Sequence, residues 1–213
     1  MKYYVVGGNT GYTRFIKDVE LVDKIEDADV VLFTGGEDVT PSFYGEQDLV
    51  GLYTNKNRDN REKEIFNKIK SNQLALGICR GSQFLCAMNG GKLVQDCSNH
   101  AIGTTHGICD PGRKMRYEIT STHHQMQYPY NLPSSDYEIL YISSELRSDC
   151  YTGGGIDSRF ILYIGEPEVV LYKVKGKPTC LAIQGHPEMI PNSPVAKMLD
   201  ELICSTYEKI EKK

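Results

Sequence analysis

The sequence predicts an α/β domain with a parallel core and an antiparallel extension. Three observations carry that expectation. Strand-like and helix-like segments alternate through the first half. Two of the strand-like runs, 28–34 (ADVVLFT) and 74–78 (LALGI), are apolar on both faces. Such a run suits a central parallel strand covered by helices, because polar alternation disappears when neither face meets water. The second half then reads as mainly β-forming. No repeat, low-complexity tract or linker divides residues 1–213, so a single domain is expected.

The elements follow in order. Residues 3–6 are a short β-rich run ending in Gly7-Gly8, and the 28–34 strand closes on Gly35-Gly36. Over 61–70, Ile65, Phe66 and Ile69 recur at one-and-four spacing, which predicts an amphipathic helix. The 74–78 strand leads into a helix over 82–88. Residues 137–142, 160–164 and 169–174 are β-rich, and the last turns through Gly176-Lys177-Pro178 into 179–184 as a hairpin. The final helix has Ser193 as N-cap and Pro194 at its first position. Val195, Met198, Leu199, Leu202, Ile203 and Ile210 mark its buried stripe.

Composition narrows the function. Lys and Arg total 24 against 28 Asp and Glu, a formal charge of −4. A mildly acidic, mixed surface argues against nucleic acid as the main partner. Apolar residues make up 40% of the chain, enough for a core and too many for disorder. No apolar stretch approaches bilayer length, and the first eight residues hold too short an apolar run for a secretory signal. The seven cysteines are odd in number and form no CxxC pair. Reduced thiols in a cytoplasm are therefore expected.

One of those thiols stands out. In Leu76-Gly77-Ile78-Cys79-Arg80-Gly81-Ser82-Gln83 a buried strand ends at Cys79 and a helix begins at once. This is the strand–turn–helix logic of a nucleophile elbow, although the residues are not GxSxG. Gly77 and Gly81 let backbone pass closely on either side, and the helix N-terminus favours a thiolate. The amide of Arg80 would point toward an oxyanion built on a substrate carbonyl. The alternative reading, a buried core cysteine, suits most of the other six. A thiol nucleophile needs a base and the base an orienter, and Gln184-Gly185-His186-Pro187-Glu188 supplies both after an apolar strand. In extended chain His186 and Glu188 face one side, with Pro187 fixing the bend. Both motifs fall at strand carboxyl ends, where an open α/β sheet places its crevice.

GICRGSQ (77–83), QGHPE (184–188) and TGGEDV (34–39) together resemble the class I glutamine amidotransferase family. The resemblance is closest to the branch of γ-glutamyl hydrolases, including γ-glutamyl-γ-aminobutyrate hydrolases. TGGEDVTPSFYGE (34–46) resembles that branch's GGxDVxPxxYGE, Arg58-Asp59 its Arg-Asp, and GGKLVQD (90–96) and STHHQ (121–125) continue the pattern. The resemblance implies a flavodoxin-like three-layer sandwich and a Cys-His-Glu triad. It makes Cys79 the nucleophile, His186 the general base and acid, and Glu188 its orienting partner. It gives the oxyanion hole to Gly36 and the amide of Arg80. Gln83 resembles the glutamine that contacts the γ-glutamyl group, and His123, His124 and Gln125 the segment gripping the substrate's amino-acid end. For Gln83 the alternative is an exposed helical side chain, and for the other three a polar turn.

The implied reaction is hydrolysis of a γ-glutamyl amide through a cysteine thioester, with no metal or organic cofactor. A glutaminase subunit feeding ammonia to a separate synthase is the alternative, and a non-catalytic binding relative the third. A homodimer is compatible with either enzyme. Gly7-Gly8-Asn9-Thr10-Gly11 lacks phosphate-loop spacing, and the five histidines and seven cysteines show no zinc-finger or HExxH spacing, so no metal is expected. Gly153-Gly154-Gly155 reads as a mobile surface loop near the site opening. Residues 143–160 have little match to the family, which leaves the leaving amine undetermined.

Overall fold

The computed structural model describes residues 1–212. Thirteen strands run in chain order: β1 Lys2–Val5, β2 Glu20–Leu21, β3 Val30–Phe33, β4 Leu74–Ile78, β5 Lys92–Val94, β6 Asp96–Cys97, β7 Ala101–Cys109, β8 Arg116–Thr122, β9 Met126–Tyr128, β10 Tyr137–Ser143, β11 Tyr151–Thr152, β12 Pro167–Tyr172 and β13 Thr179–Ile183. The helices are α1 Lys56–Phe66, α2 Arg80–Met88, α3 Ser158–Ile164 and α4 Pro194–Glu211. Nine strands make one sheet in the order β2-β1-β3-β4-β13-β12-β10-β7-β8. The five from β2 to β13 are mutually parallel, and β12, β10, β7 and β8 extend the sheet through antiparallel pairs. The parallel core and antiparallel extension expected from the sequence are both present.

The central strands are apolar on both faces because both are covered. Val30, Leu32, Leu74, Leu76 and Ile78 pack with Val195, Leu199 and Ile203 of α4. Val31, Phe33 and Ala75 turn the other way, onto Phe66 of α1 and Phe84 and Leu85 of α2. This period-2 division within continuously buried strands makes three layers. The helices are capped as their sequences suggest: Asn55 accepts from Arg58 N–H, and Ser193 accepts from Ala196 N–H ahead of Pro194. The 169–174 and 179–184 runs form the β12–β13 hairpin, with Gly176 at φ +81° in its turn. Among the described residues no helix is long and apolar enough to cross a membrane.

One expected strand is a helix. Residues 160–164 lie within α3, started by Asp157, whose carboxylate accepts from Arg159 N–H, and stopped at Gly165 with φ +130°. Ile161 is buried while Leu162 and Tyr163 face solvent. The β-forming composition therefore lost to a cap and a one-sided burial pattern, a conflict that seven residues are too few to resolve by periodicity.

Candidate active site

The site forms where β4 and β13 end side by side. They pair in parallel with Ile78 opposite Ile183, and Cys79 N–H donates to Ile183 O at 2.8 Å. The next residue of one strand end is Cys79, and three residues beyond the other stands His186. Cys79 is the N-cap of α2 at φ 52° and ψ −112°, a conformation that is strained for a residue with a Cβ. Two glycines make room for this turn: a Cβ on Gly77 would lie 2.5 Å from Gly81 O, and one on Gly81 would lie 2.2 Å from Phe33 O. The elbow is thus seated directly on the β3 and β4 backbones.

His186 is nearly buried and held from two sides. Its N–H donates to Thr120 Oγ1 at 2.7 Å, its Nδ1 lies 2.7 Å from Glu188 Oε1, and the Cys79 thiol lies near enough to act on the charge of its ring. Burial opposes a charged ring, but the neighbouring Cys79 and Glu188 outweigh it and raise the His186 pKa to about 10. Residues Pro187–Met189 form a 3₁₀ turn rather than extended chain, and this curl is what returns Glu188 to the imidazole. The other thiols differ. Burial pushes Cys86 and Cys180 up to about 12 and Cys97 upward, so each is held as an unreactive thiol.

After β3 the chain turns through Gly35 and Gly36, with Gly36 at φ +143°. Arg58 clamps this turn by donating to Gly35 O at 2.9 Å and Thr34 O at 3.2 Å. Both carbonyls of the turn are thus held on Arg58. Glu37 receives Arg58 at 2.5 Å; its own backbone N–H and that guanidinium lower its carboxyl pKa to about 2. The Arg80 side chain points away from the thiol, pairing with Asp59 and Glu62 while fully buried. The Arg80 guanidinium is therefore committed to α1.

Of the expected substrate contacts, Gln83, His123 and Gln125 form one hydrogen-bonded group. Gln83, on the first turn of α2, is buried rather than an exposed helical side chain, and its Nε2 donates to Gln125 O at 2.8 Å. Gln125 Oε1 accepts from Val39 N–H at 3.2 Å. His123 Nδ1 lies 2.9 Å from that same Gln125 O, but its ring is buried against His100 instead of lining an open surface. His124 is partly exposed between Asp38 at 2.9 Å and Asp96 at 3.2 Å, chiefly the Asp38 hydrogen bond raising its pKa. Two neighbours escaped the sequence reading. Tyr12 stands with its ring 6.0 Å from His186, and Thr120 holds the His186 amide. Tyr12 follows the carboxyl end of β1, so the crevice rule could have found it; Thr120 carries no local signal. Gly154 and Gly155 donate to Glu46 at 2.8 and 2.7 Å, which ties down the triglycine loop expected to be mobile.

Residues 14–157 match the family described as Peptidase C26. The glutamine amidotransferase-like protein YvdE of Lactococcus lactis subsp. lactis is 35% identical over 102 residues, 45% of this chain and 43% of that protein. A YvdE homolog from Lactococcus lactis subsp. cremoris is 36% identical over 94 residues, 41% of this chain and 50% of the relative. The matched segments thus span about half or less of these relatives' lengths. In fold, the chain is similar to a GMP synthase component from Thermoplasma acidophilum, with TM-score 0.60, 17% identity and coverage of 100% and 98% of the two chains. It is also similar to a glutamine amidotransferase of Thermotoga maritima, with TM-score 0.53, 15% identity and coverage of 100% and 92%. The chain belongs to the peptidase C26 family, an enzyme family of the class I glutamine amidotransferase type.

Proposed function

We propose that this chain hydrolyses a γ-glutamyl amide bond, with Cys79 as nucleophile, His186 as general base and acid, and Glu188 as its orienting partner. The observation that carries the reading is the strained Cys79 elbow facing His186, whose Nδ1 lies 2.7 Å from Glu188. With Nδ1 on the carboxylate, Nε2 is the nitrogen left for the sulfur and the reacting groups.

The reaction then runs in two halves. Cys79 Sγ attacks the γ-carbonyl carbon, and the oxygen takes the negative charge toward the amides of Gly36 and Arg80. The C–N bond breaks as His186 passes a proton to the leaving nitrogen, and a γ-glutamyl thioester remains on sulfur. His186 next takes a proton from water, the hydroxide adds to the thioester carbonyl, and the C–S bond breaks. Glutamate leaves and the thiol and imidazole regain their starting protons. Gln83, Gln125 and His124 are the candidates for holding the glutamyl end. The branch-like stretch TGGEDVTPSFYGE supports a hydrolase over a synthase-bound glutaminase.

The test is glutamate release from glutamine and a panel of γ-glutamyl amides, beside Cys79→Ala. Release by the chain alone, lost in the variant and accompanied by a thioester adduct on Cys79, is expected. Undiminished turnover in Cys79→Ala would remove the thiol mechanism. Silence on every amide, with release restored by an added synthase, would establish the glutaminase instead.

A further inference from the structure

Behind the catalytic histidine, on the antiparallel side of the sheet, lies a second group of titratable side chains that the hydrolytic mechanism does not use. His100 precedes β7, His106 lies on β7, His123 follows β8, and Glu166 and Glu168 stand at the start of β12. All five are at most 3% exposed. β10 pairs with β7 only through Ile142 and Ser143, so beyond its end side chains rather than backbone bridge β7 and β12.

The hydrogen bonding of this group is incomplete. His106 Nε2 lies 2.8 Å from Glu168 Oε1, His100 Nε2 lies 3.2 Å from Glu166 Oε2, and His123 Nδ1 lies 2.9 Å from Gln125 O. One nitrogen of His106 and one of His123 thus have an oxygen partner. His106 Nδ1, His123 Nε2, both nitrogens of His100 and Glu168 Oε2 have no hydrogen-bond partner among the described residues. The interior therefore holds several polar atoms with no partner, which is costly unless a cation or water completes the set. One nitrogen from His100, one from His106 and one oxygen of Glu168 already lie within 4.8 Å of one another.

We propose that His100, His106 and Glu168 bind one divalent transition-metal ion of the Zn²⁺ class, with water completing the coordination. Imidazole nitrogens and a single carboxylate are the ligand set such ions favour. Tetrahedral bonds of that class place ligand atoms about 3.3 Å apart, a small adjustment from the present spacing. The carboxylates of Glu166 and Glu168 supply two negative charges, which one dication balances. The ion would join β7, the residue before it and β12. His123 packs on His100 and bonds the Gln125 carbonyl that also receives Gln83, so the ion would steady the site without touching the thiol. The donors are scattered over 69 positions from 100 to 168, which is why no ligand spacing is visible in the sequence.

The test uses the full chain carrying Cys79→Ala, so that the catalytic thiol cannot capture metal. After chelation, Zn²⁺ is titrated calorimetrically and Co²⁺ is followed by visible absorption. One Zn²⁺ per chain, ligand-field bands without thiolate charge transfer, and a higher Tm with metal are expected. His106→Gln should weaken Zn²⁺ by at least 100-fold, with the far-ultraviolet dichroism of the folded chain retained. Should that variant not fold, His100→Asn serves as the second, with at least a tenfold loss expected. A folded parent chain that binds no Zn²⁺, a thiolate-to-cobalt band, or unchanged affinity in both variants would overturn the proposal. Because the readout is binding in a chain without the nucleophile, its failure leaves the hydrolase reading untouched.

Discussion

Glu188 Oε1 meets His186 Nδ1 at 2.7 Å across only two residues, because Pro187–Met189 curls into a 3₁₀ turn. The carboxylate fixes both the ring's orientation and the nitrogen that carries its proton. Glu188→Gln keeps the size of the side chain and removes the charge. In steady-state kinetics kcat should fall by roughly 10²- to 10⁴-fold with KM little changed, as when a base loses its orienting acid. A large KM effect with kcat intact would place Glu188 in substrate binding instead.

His186 also makes stability depend on pH, and the sign is fixed by the direction of its shift. Its pKa rises from 6.5 to about 10 on folding, since the neighbouring Cys79 and Glu188 outweigh burial. The folded state then binds the proton more tightly. That contribution is complete below about pH 6.5, shrinks as pH rises, and is gone above about pH 10. Urea unfolding of the wild type and His186→Asn should therefore show a stability gap that narrows between these limits. A gap independent of pH would mean that the ring is neutral in the folded protein.

The buried ion pairs between α1 and α2 give a prediction about the scaffold. Arg80 pairs with Asp59 and Glu62, all three essentially without solvent contact, and Asp59 also accepts from Thr40 N–H at 3.0 Å. Asp59→Ala leaves part of the Arg80 guanidinium unpaired in the interior. Loss of one member of a buried pair costs about 3–5 kcal/mol. Urea unfolding should register a loss of that size, and a loss below about 1 kcal/mol would show that water reaches the cluster.

The sequence reveals most where function and fold coincide locally. Cys79 and His186 were legible because each follows a continuous apolar strand, and those strands are neighbours with Ile78 opposite Ile183. The β7–β8 hairpin was not anticipated. Residues 101–105 of β7 are exposed and Gly103 and Gly107 interrupt the strand, so it offers no alternating pattern to read. Thr120, which holds the His186 amide, was hidden with it. Tyr12 and the buried His100, His106 and Glu168 group depend on contacts between distant segments, which no local spacing encodes. For His123 the motif located the segment, but only packing could reveal that its ring turns inward.

The Gly35-Gly36 turn allows backbone strain to be separated from damage to the site. A Cβ on Gly36 would lie 2.1 Å from Arg58 Nη1 at a backbone φ of +143°, displacing the guanidinium that holds Gly35 O. The Gly36 amide, proposed as an oxyanion donor, would move with it. Gly51 has a comparable need for positive φ, at +76°, but nothing lies within 4 Å of its would-be Cβ. Gly51→Ala should therefore lose about 1 kcal/mol of stability and leave kcat unaltered. Gly36→Ala should lose at least as much stability and, in addition, roughly 10²- to 10³-fold in kcat, the range for removing one oxyanion donor. If the two variants differ only in stability, Gly36 is a turn residue and the oxyanion must be held by other groups.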